Sequence, residues 1–212
     1  MRYAVAVFDL DGTILYTLDD LTDALNVGLA ARGFPPRTVE EVRKMVGNGM
    51  HKLIERGVPA GTNDADTQTV FAAFTAHYAV HCADKTRPYD GVIDLLRALR
   101  EHGVKTAVVS NKSQAGVDAL VARYFPGLFD VAIGERPGVA RKPAPDGVFE
   151  ALRALGTNAV YIGDSEVDYQ TARNASLPCI SVTWGFRDRA FVASFGADTF
   201  ADTPADVLRL ME

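Results

Sequence analysis

Five short apolar runs constrain this chain more than any other feature: AVAVF at 4–8, KTAVVS at 105–110, FDVAIG at 129–134, AVYIG at 159–163 and CISVTW at 179–184. They are rich in Val, Ile or Ala and lack the clean alternation of a strand with one wet face. Such runs suit strands buried on both faces, as in a parallel sheet. Helical spacing fills the intervals beyond residue 90. Asp90 is placed to cap a helix with Leu95, Leu96 and Leu99 inward and Gly103 as its stop. Ser113 is placed to cap another through Val117, Leu120, Val121 and Tyr124, and a third runs from about Asp146 to Gly156. Strand and helix therefore alternate. The expectation is an α/β fold, a doubly wound, Rossmann-like parallel sheet of five strands.

The interval 16–86 breaks the rhythm. Thr17 opens a helical pattern through Leu18, Leu21, Leu25 and Leu29, and Thr38 with Glu41 has capping-box spacing. A long pattern follows through Val70, Phe71, Phe74 and Tyr78, with no convincing strand. This predicts two domains: an α/β core of residues 1–15 and 87–212, and an inserted all-helical cap, 16–86, seated over the sheet.

Composition narrows the function classes. A chain of 212 residues, 48% hydrophobic, can bury a proper core, and a net charge of −5 leaves no basic stripe for nucleic acid. Cys82 and Cys179 are too few and too far apart for a disulfide framework or zinc cluster. No basic, long apolar leader precedes the first run, and no stretch approaches the ~20 apolar residues of a membrane span. The expectation is a cytoplasmic protein, monomer or homodimer, with neither membrane nor nucleic acid as partner.

In an open parallel sheet, ligands bind beyond the carboxyl ends of the strands. The first run ends in Asp9 and Asp11, the second in Ser110, Asn111 and Lys112, and the fourth is followed by Asp164, Glu166 and Asp168. Lys142 lies in RKPAP, shortly after the third run. Carboxylates crowded into one crevice repel unless a cation neutralises them. Mg²⁺ fits, since it uses one or two carboxylates, waters and a substrate phosphate. Ser110 and Lys142 then supply a hydroxyl donor and a positive charge for the phosphate oxygens. A carboxylate can attack phosphorus, and a second one two residues on can protonate the leaving oxygen and then deprotonate water. Gly12 permits a tight departure of the chain over the site. His77 and His81 have metal-ligand spacing but no third ligand nearby in sequence, and Glu166 reads as an exposed carboxylate.

DLDGT at 9–13, Ser110, Lys142 and GDSEVD at 163–168 resemble the four ordered motifs of the haloacid dehalogenase superfamily of phosphohydrolases. The resemblance implies that Asp9 is the nucleophile and Asp11 the general acid and base, with Thr13 orienting the latter. It implies that Asp164 joins Asp9 and the Asp11 carbonyl around Mg²⁺. Asp168 would act through water or by holding Lys142. Gly12, Thr13, Ser110, Asn111 and Lys142 are the implied phosphate-binding set.

MVGNGMHKLIERGV at 45–58, RKPAPDGV at 141–148 and VTWGFRD at 182–188 are similar to the phosphoglycolate phosphatase branch and its close relatives. That similarity implies a small phosphorylated metabolite, 2-phosphoglycolate first; the bare backbone amides around Asn48 and Gly49 of the cap, with cations beside them, are the expected donors to its carboxylate. Two enzyme alternatives are a pyrophosphatase or sugar-phosphate phosphatase, and a phosphoglucomutase-like phosphotransferase. The mutases usually carry an apolar residue where Thr13 stands. A non-catalytic phosphate-sensing module is the alternative of another class; its mark would be loss of Asp9 or Asp11, and both are present.

Overall fold

The structure, a computed structural model, describes all residues from Met1 to Glu212. The chain divides into two compact units, Met1–Leu15 with Pro88–Glu212, and Tyr16–Arg87. In chain order, β1 (Val5–Phe8) leads to β2 (Leu15–Tyr16), α1 (Leu18–Ala30), α2 (Val39–Met45), α3 (Gly49–Gly57), α4 (Asp64–His81) and β3 (Arg87–Pro88). There follow α5 (Val92–Glu101), β4 (Lys105–Ser113), α6 (Gln114–Tyr124), β5 (Val131–Glu135), α7 (Asp146–Leu155) and β6 (Ala159–Gly163). The chain closes with α8 (Glu166–Asn174), β7 (Cys179–Val182), α9 (Arg189–Ala193), β8 (Phe200–Ala201) and α10 (Pro204–Leu210).

The larger unit is a parallel sheet in the order β5-β4-β1-β6-β7-β8. All four residues of β1 are buried, because helices cover both faces of the sheet. Val5, Val7, Val109, Ile133 and Tyr161 pack with Val148 of α7 in one cluster. The sheet has six strands rather than the expected five. The sixth, β8, is two residues long and pairs only with β7, which is too short to leave a pattern in sequence. Strand order reverses at β1: the chain runs outward through β4 and β5, then returns to place β6 on the other side. That switch point opens a crevice at the carboxyl ends of β1, β4 and β6.

Helix signals were mostly local and legible. Ser113 caps α6 by accepting from the Gly116 amide at 3.4 Å, and Thr38 with Glu41 forms the capping box of α2. Asp90 does not cap α5; Gly91, at φ 83°, occupies that position without a side-chain bond.

The unit Tyr16–Arg87 is built on α1 and α4. Gly28 lets them approach closely: a Cβ there would lie 2.7 Å from the Val70 carbonyl oxygen. Buried Asp20 accepts from the amides of Lys85 (3.0 and 3.1 Å) and Thr86 (2.8 Å), tying the returning chain to α1. The interval contains one strand residue that the helical expectation omitted, Tyr16, since β2 and β3 pair as a two-stranded ribbon.

Candidate active site

β1 ends at Phe8, and Asp9 follows with its amide still donating to the Ile162 carbonyl at 2.9 Å. The carboxylate is thus delivered at the switch point. From the other side comes Lys142, whose main chain is gripped by Asn111 at the end of β4. The Lys142 amide donates to Asn111 Oδ1 at 2.8 Å, and Asn111 Nδ2 donates to the Lys142 carbonyl at 3.1 Å. Asn111, expected among the phosphate-binding residues, is therefore a holder of Lys142.

The Lys142 ammonium donates to Asp9 Oδ1 at 2.6 Å, to Asp168 Oδ1 at 2.7 Å and to the Tyr161 hydroxyl at 3.1 Å. An ammonium has three N–H groups, so this tripod matches its capacity. Tyr161 is fully buried and in turn donates to Asp168 Oδ1 at 3.1 Å. The other Asp168 oxygen, Oδ2, accepts from Ser165 Oγ at 2.6 Å and from the Ser165 amide at 3.1 Å, as the capping box of α8. Both oxygens of Asp168 are thus engaged, which fits the holding of Lys142 better than direct metal contact.

Asp164, 2% exposed, accepts from the Phe186 amide at Oδ2, 2.6 Å, and from Thr13 Oγ1 at Oδ1, 3.3 Å. Thr13 therefore steadies Asp164, where the resemblance had it orienting Asp11. Gly12 lies between them at φ 91°, the left-handed backbone that glycine tolerates. Asp11 turns to a different partner, with Oδ1 3.2 Å from Lys112 Nζ. That oxygen is buried and has no hydrogen bond, so the contact is ionic. Ser110 is buried beside them, its Oγ accepting from the Lys112 amide at 3.2 Å. Asn48 and Gly49 open α3 in the other unit, where Asn48 Oδ1 accepts from Arg56 at 2.8 Å. Glu166 is half-buried and paired with Arg187 at 3.3 Å.

One buried lysine faces three buried carboxylates, and their protonation shows the imbalance. Burial, then the charge of Asp168, holds Asp9 well above the usual carboxylate range against the opposing pull of Lys142. Burial and Asp168 likewise push Asp164 up to about 7. Burial opposes the Lys142 charge, but Asp168 and Asp9 outweigh it and keep the ammonium firmly protonated. Oxygens of Asp9, Asp164 and Asp168 all lie within 4.8 Å of one another. An all-oxygen donor set with surplus negative charge fits a hard divalent cation, and Asp9 with Asp164 would hold it. Asp11, expected at the metal through its main-chain carbonyl, has its carboxylate outside this cluster.

No motif in the sequence assigns a role to Tyr161 or Trp184, and Lys112 is placed at a strand end without a role. Tyr161 lies inside the apolar run AVYIG, where a buried tyrosine hydroxyl requires a partner. Lys112 stood next to Ser110 and Asn111 in SNK. Trp184 donates from Nε1 to the Thr13 carbonyl at 2.9 Å.

Comparison with known proteins bears on this geometry. The profile of the haloacid dehalogenase-like hydrolases matches residues 6–182. The chain is 36% identical to the phosphoglycolate phosphatase of Caulobacter vibrioides, covering 98% of this chain and 92% of the relative. It is 27% identical to the N-acetylmuramic acid 6-phosphate phosphatase of Pseudomonas aeruginosa, covering 100% and 96%. A solved structure from Lactobacillus delbrueckii subsp. bulgaricus, provisionally named a phosphoglycolate phosphatase, has a TM-score of 0.95 at 39% identity, covering 100% of this chain and 99% of that one. No helix is long and apolar enough to cross a membrane.

Proposed function

The chain belongs to the haloacid dehalogenase-like hydrolases and is a phosphatase, and on that footing we propose that it hydrolyses a small phosphomonoester with Mg²⁺, through a phosphoryl group carried on Asp9. The observation that carries this reading is the buried junction of Asp9 with Lys142 at 2.6 Å, with an Asp164 oxygen within metal-sharing distance. Mg²⁺ held by Asp9 and Asp164 would offset the surplus negative charge and that of the incoming phosphate.

Asp9 attacks phosphorus, forming an aspartyl-phosphate as the bond to the leaving oxygen breaks. Asp11 gives its proton to that oxygen, and the alcohol departs. Asp11, now a carboxylate, takes a proton from water, whose oxygen attacks the phosphoryl group; orthophosphate leaves and Asp9 is restored. Ser110 donates to a non-bridging oxygen, and the Lys142 ammonium, held by Asp168 and Tyr161 with its main chain gripped by Asn111, supplies positive charge beside the phosphoryl group.

The similarity to phosphoglycolate phosphatases makes 2-phosphoglycolate the first substrate. The Pseudomonas relative favours a sugar phosphate as the second reading. Asn48 and Gly49 are proposed as recognition residues for the leaving group. Phosphate release from 2-phosphoglycolate, N-acetylmuramic acid 6-phosphate, glucose 1-phosphate and pyrophosphate, with Mg²⁺ and with chelator, tests the reading. Turnover of 2-phosphoglycolate well above the others, abolished by chelation, is expected. Absence of turnover on every ester would leave a phosphate-binding module instead.

A further inference from the structure

We propose that Lys112 receives a carboxylate on the substrate's leaving group, so that the core unit itself selects phosphorylated short-chain hydroxy acids; this rests on the phosphatase reading above. Lys112 follows Ser110 by two residues at the end of β4, and its side chain is only 5% exposed. Its stem runs past Gly116 in the first turn of α6, where a Cβ would lie 3.1 Å from Lys112 Cγ and 3.2 Å from Cδ. A larger residue at Gly116 would crowd the lysine. The ammonium ends 3.2 Å from Asp11 Oδ1, in an ion pair with the carboxylate.

A charge withdrawn from water is stable only beside an opposite charge. The site's two buried lysines divide its two sides. Lys142 is committed to Asp9, Asp168 and Tyr161, on the side of the nucleophile. Lys112 stands on the side of Asp11, where the leaving oxygen must arrive to be protonated. In the shortest phosphorylated hydroxy acids the carboxylate is borne by the carbon attached to that oxygen, so it comes to rest beside whatever flanks Asp11. A neutral alcohol adds nothing to the opposite charge that Asp11 already gives Lys112, whereas a carboxylate adds a second, and the motifs that grip the phosphoryl group cannot tell the two apart.

The test separates binding from turnover. Calorimetric titration, with Mg²⁺ present, compares 3-phosphonopropionate, a non-hydrolysable isostere of 2-phosphoglycolate, with propylphosphonate, whose methyl replaces the carboxylate. Wild type should prefer the carboxylated ligand by at least about tenfold, the effect of one charge-assisted contact. Lys112→Met should erase that preference, and Lys112→Arg should keep most of it; Lys112→Gln serves as a second loss variant, and thermal melts verify folding. A preference retained in folded Lys112→Met or Lys112→Gln, or absent from wild type, overturns the proposal. Hydrolysis of p-nitrophenyl phosphate by wild type is read in parallel. Failure there sinks the phosphatase reading, whereas hydrolysis with an unaltered ligand preference sinks only the role of Lys112.

Discussion

Lys142 reaches across 133 residues of chain to place its ammonium 2.6 Å from Asp9 Oδ1. The contact joins the loop after β5 to the end of β1, and it identifies the carboxylate whose loss should be most selective. Asp9→Asn keeps an oxygen for Lys142 but removes the nucleophile, so turnover should vanish. The fold should survive with an equal or higher melting temperature, because burial and Asp168 already disfavour the Asp9 charge. Activity within about tenfold of wild type, a barrier change of only about 1.4 kcal/mol, would rule out the aspartyl-phosphate route.

Tyr161→Phe removes one of the three acceptors around the Lys142 ammonium. An N–H left unpaired in a buried site costs about 1–3 kcal/mol, so kcat should fall by roughly tenfold or more with KM little changed. Because the hydroxyl acts through Lys142, the same substitution in a Lys142→Met background should add little further loss in single-turnover assays. Additive losses would place the role of Tyr161 elsewhere.

The raised value of Asp164 predicts how pH and metal combine. Burial, then Asp168, puts this carboxyl at about 7, against an ordinary 3.8. Below 3.8 both the folded and the unfolded chain hold the proton; between 3.8 and about 7 only the folded, metal-free chain does. Stability from this group is therefore complete at low pH, falls as pH rises through that window, and is lost above it. A cation on Asp9 and Asp164 requires the ionised forms, so Mg²⁺ competes with protons. The rise in melting temperature on adding Mg²⁺ should be larger at about pH 8 than at about pH 5.5. Equal rises would mean that the cation does not use Asp164.

The legible parts of this protein are those written in local pattern. β1, β4, β6 and β7 are runs of buried residues, and double-sided burial is a property of the run itself. β8 is invisible because two edge residues carry no period. At the site, residue types at strand ends were legible, but their partners were not. Asn111 looked like a phosphate contact because it follows Ser110, whereas its amide matches the Lys142 main chain, 31 residues away. Thr13 lies two residues from Asp11, yet its hydroxyl turns to Asp164, 151 residues on. Such pairings depend on which strands become neighbours, and sheet order is decided by tertiary packing.

Gly185 illustrates a constraint of that kind, and it yields the sharpest steric test. A Cβ at this position would lie 2.3 Å from Asp164 Cβ, 2.5 Å from Asp164 Oδ2 and 2.5 Å from the Gly12 carbonyl oxygen. The segment cannot simply step aside, because both neighbours are anchored. Trp184 Nε1 donates to the Thr13 carbonyl at 2.9 Å, and the Phe186 amide donates to Asp164 Oδ2 at 2.6 Å. Gly185→Ala must therefore break one anchor or displace Asp164. Overpacking of this sort costs about 1–3 kcal/mol, so the metal-free protein should melt measurably lower. If Asp164 is the residue displaced, Mg²⁺ affinity measured by calorimetry should fall along with the melting temperature. A lower melting temperature with unchanged affinity would show that the Trp184 side gives way. Neither change would mean that the chain beyond β7 bends away from Asp164 without cost, and that the glycine is not needed for the site's geometry.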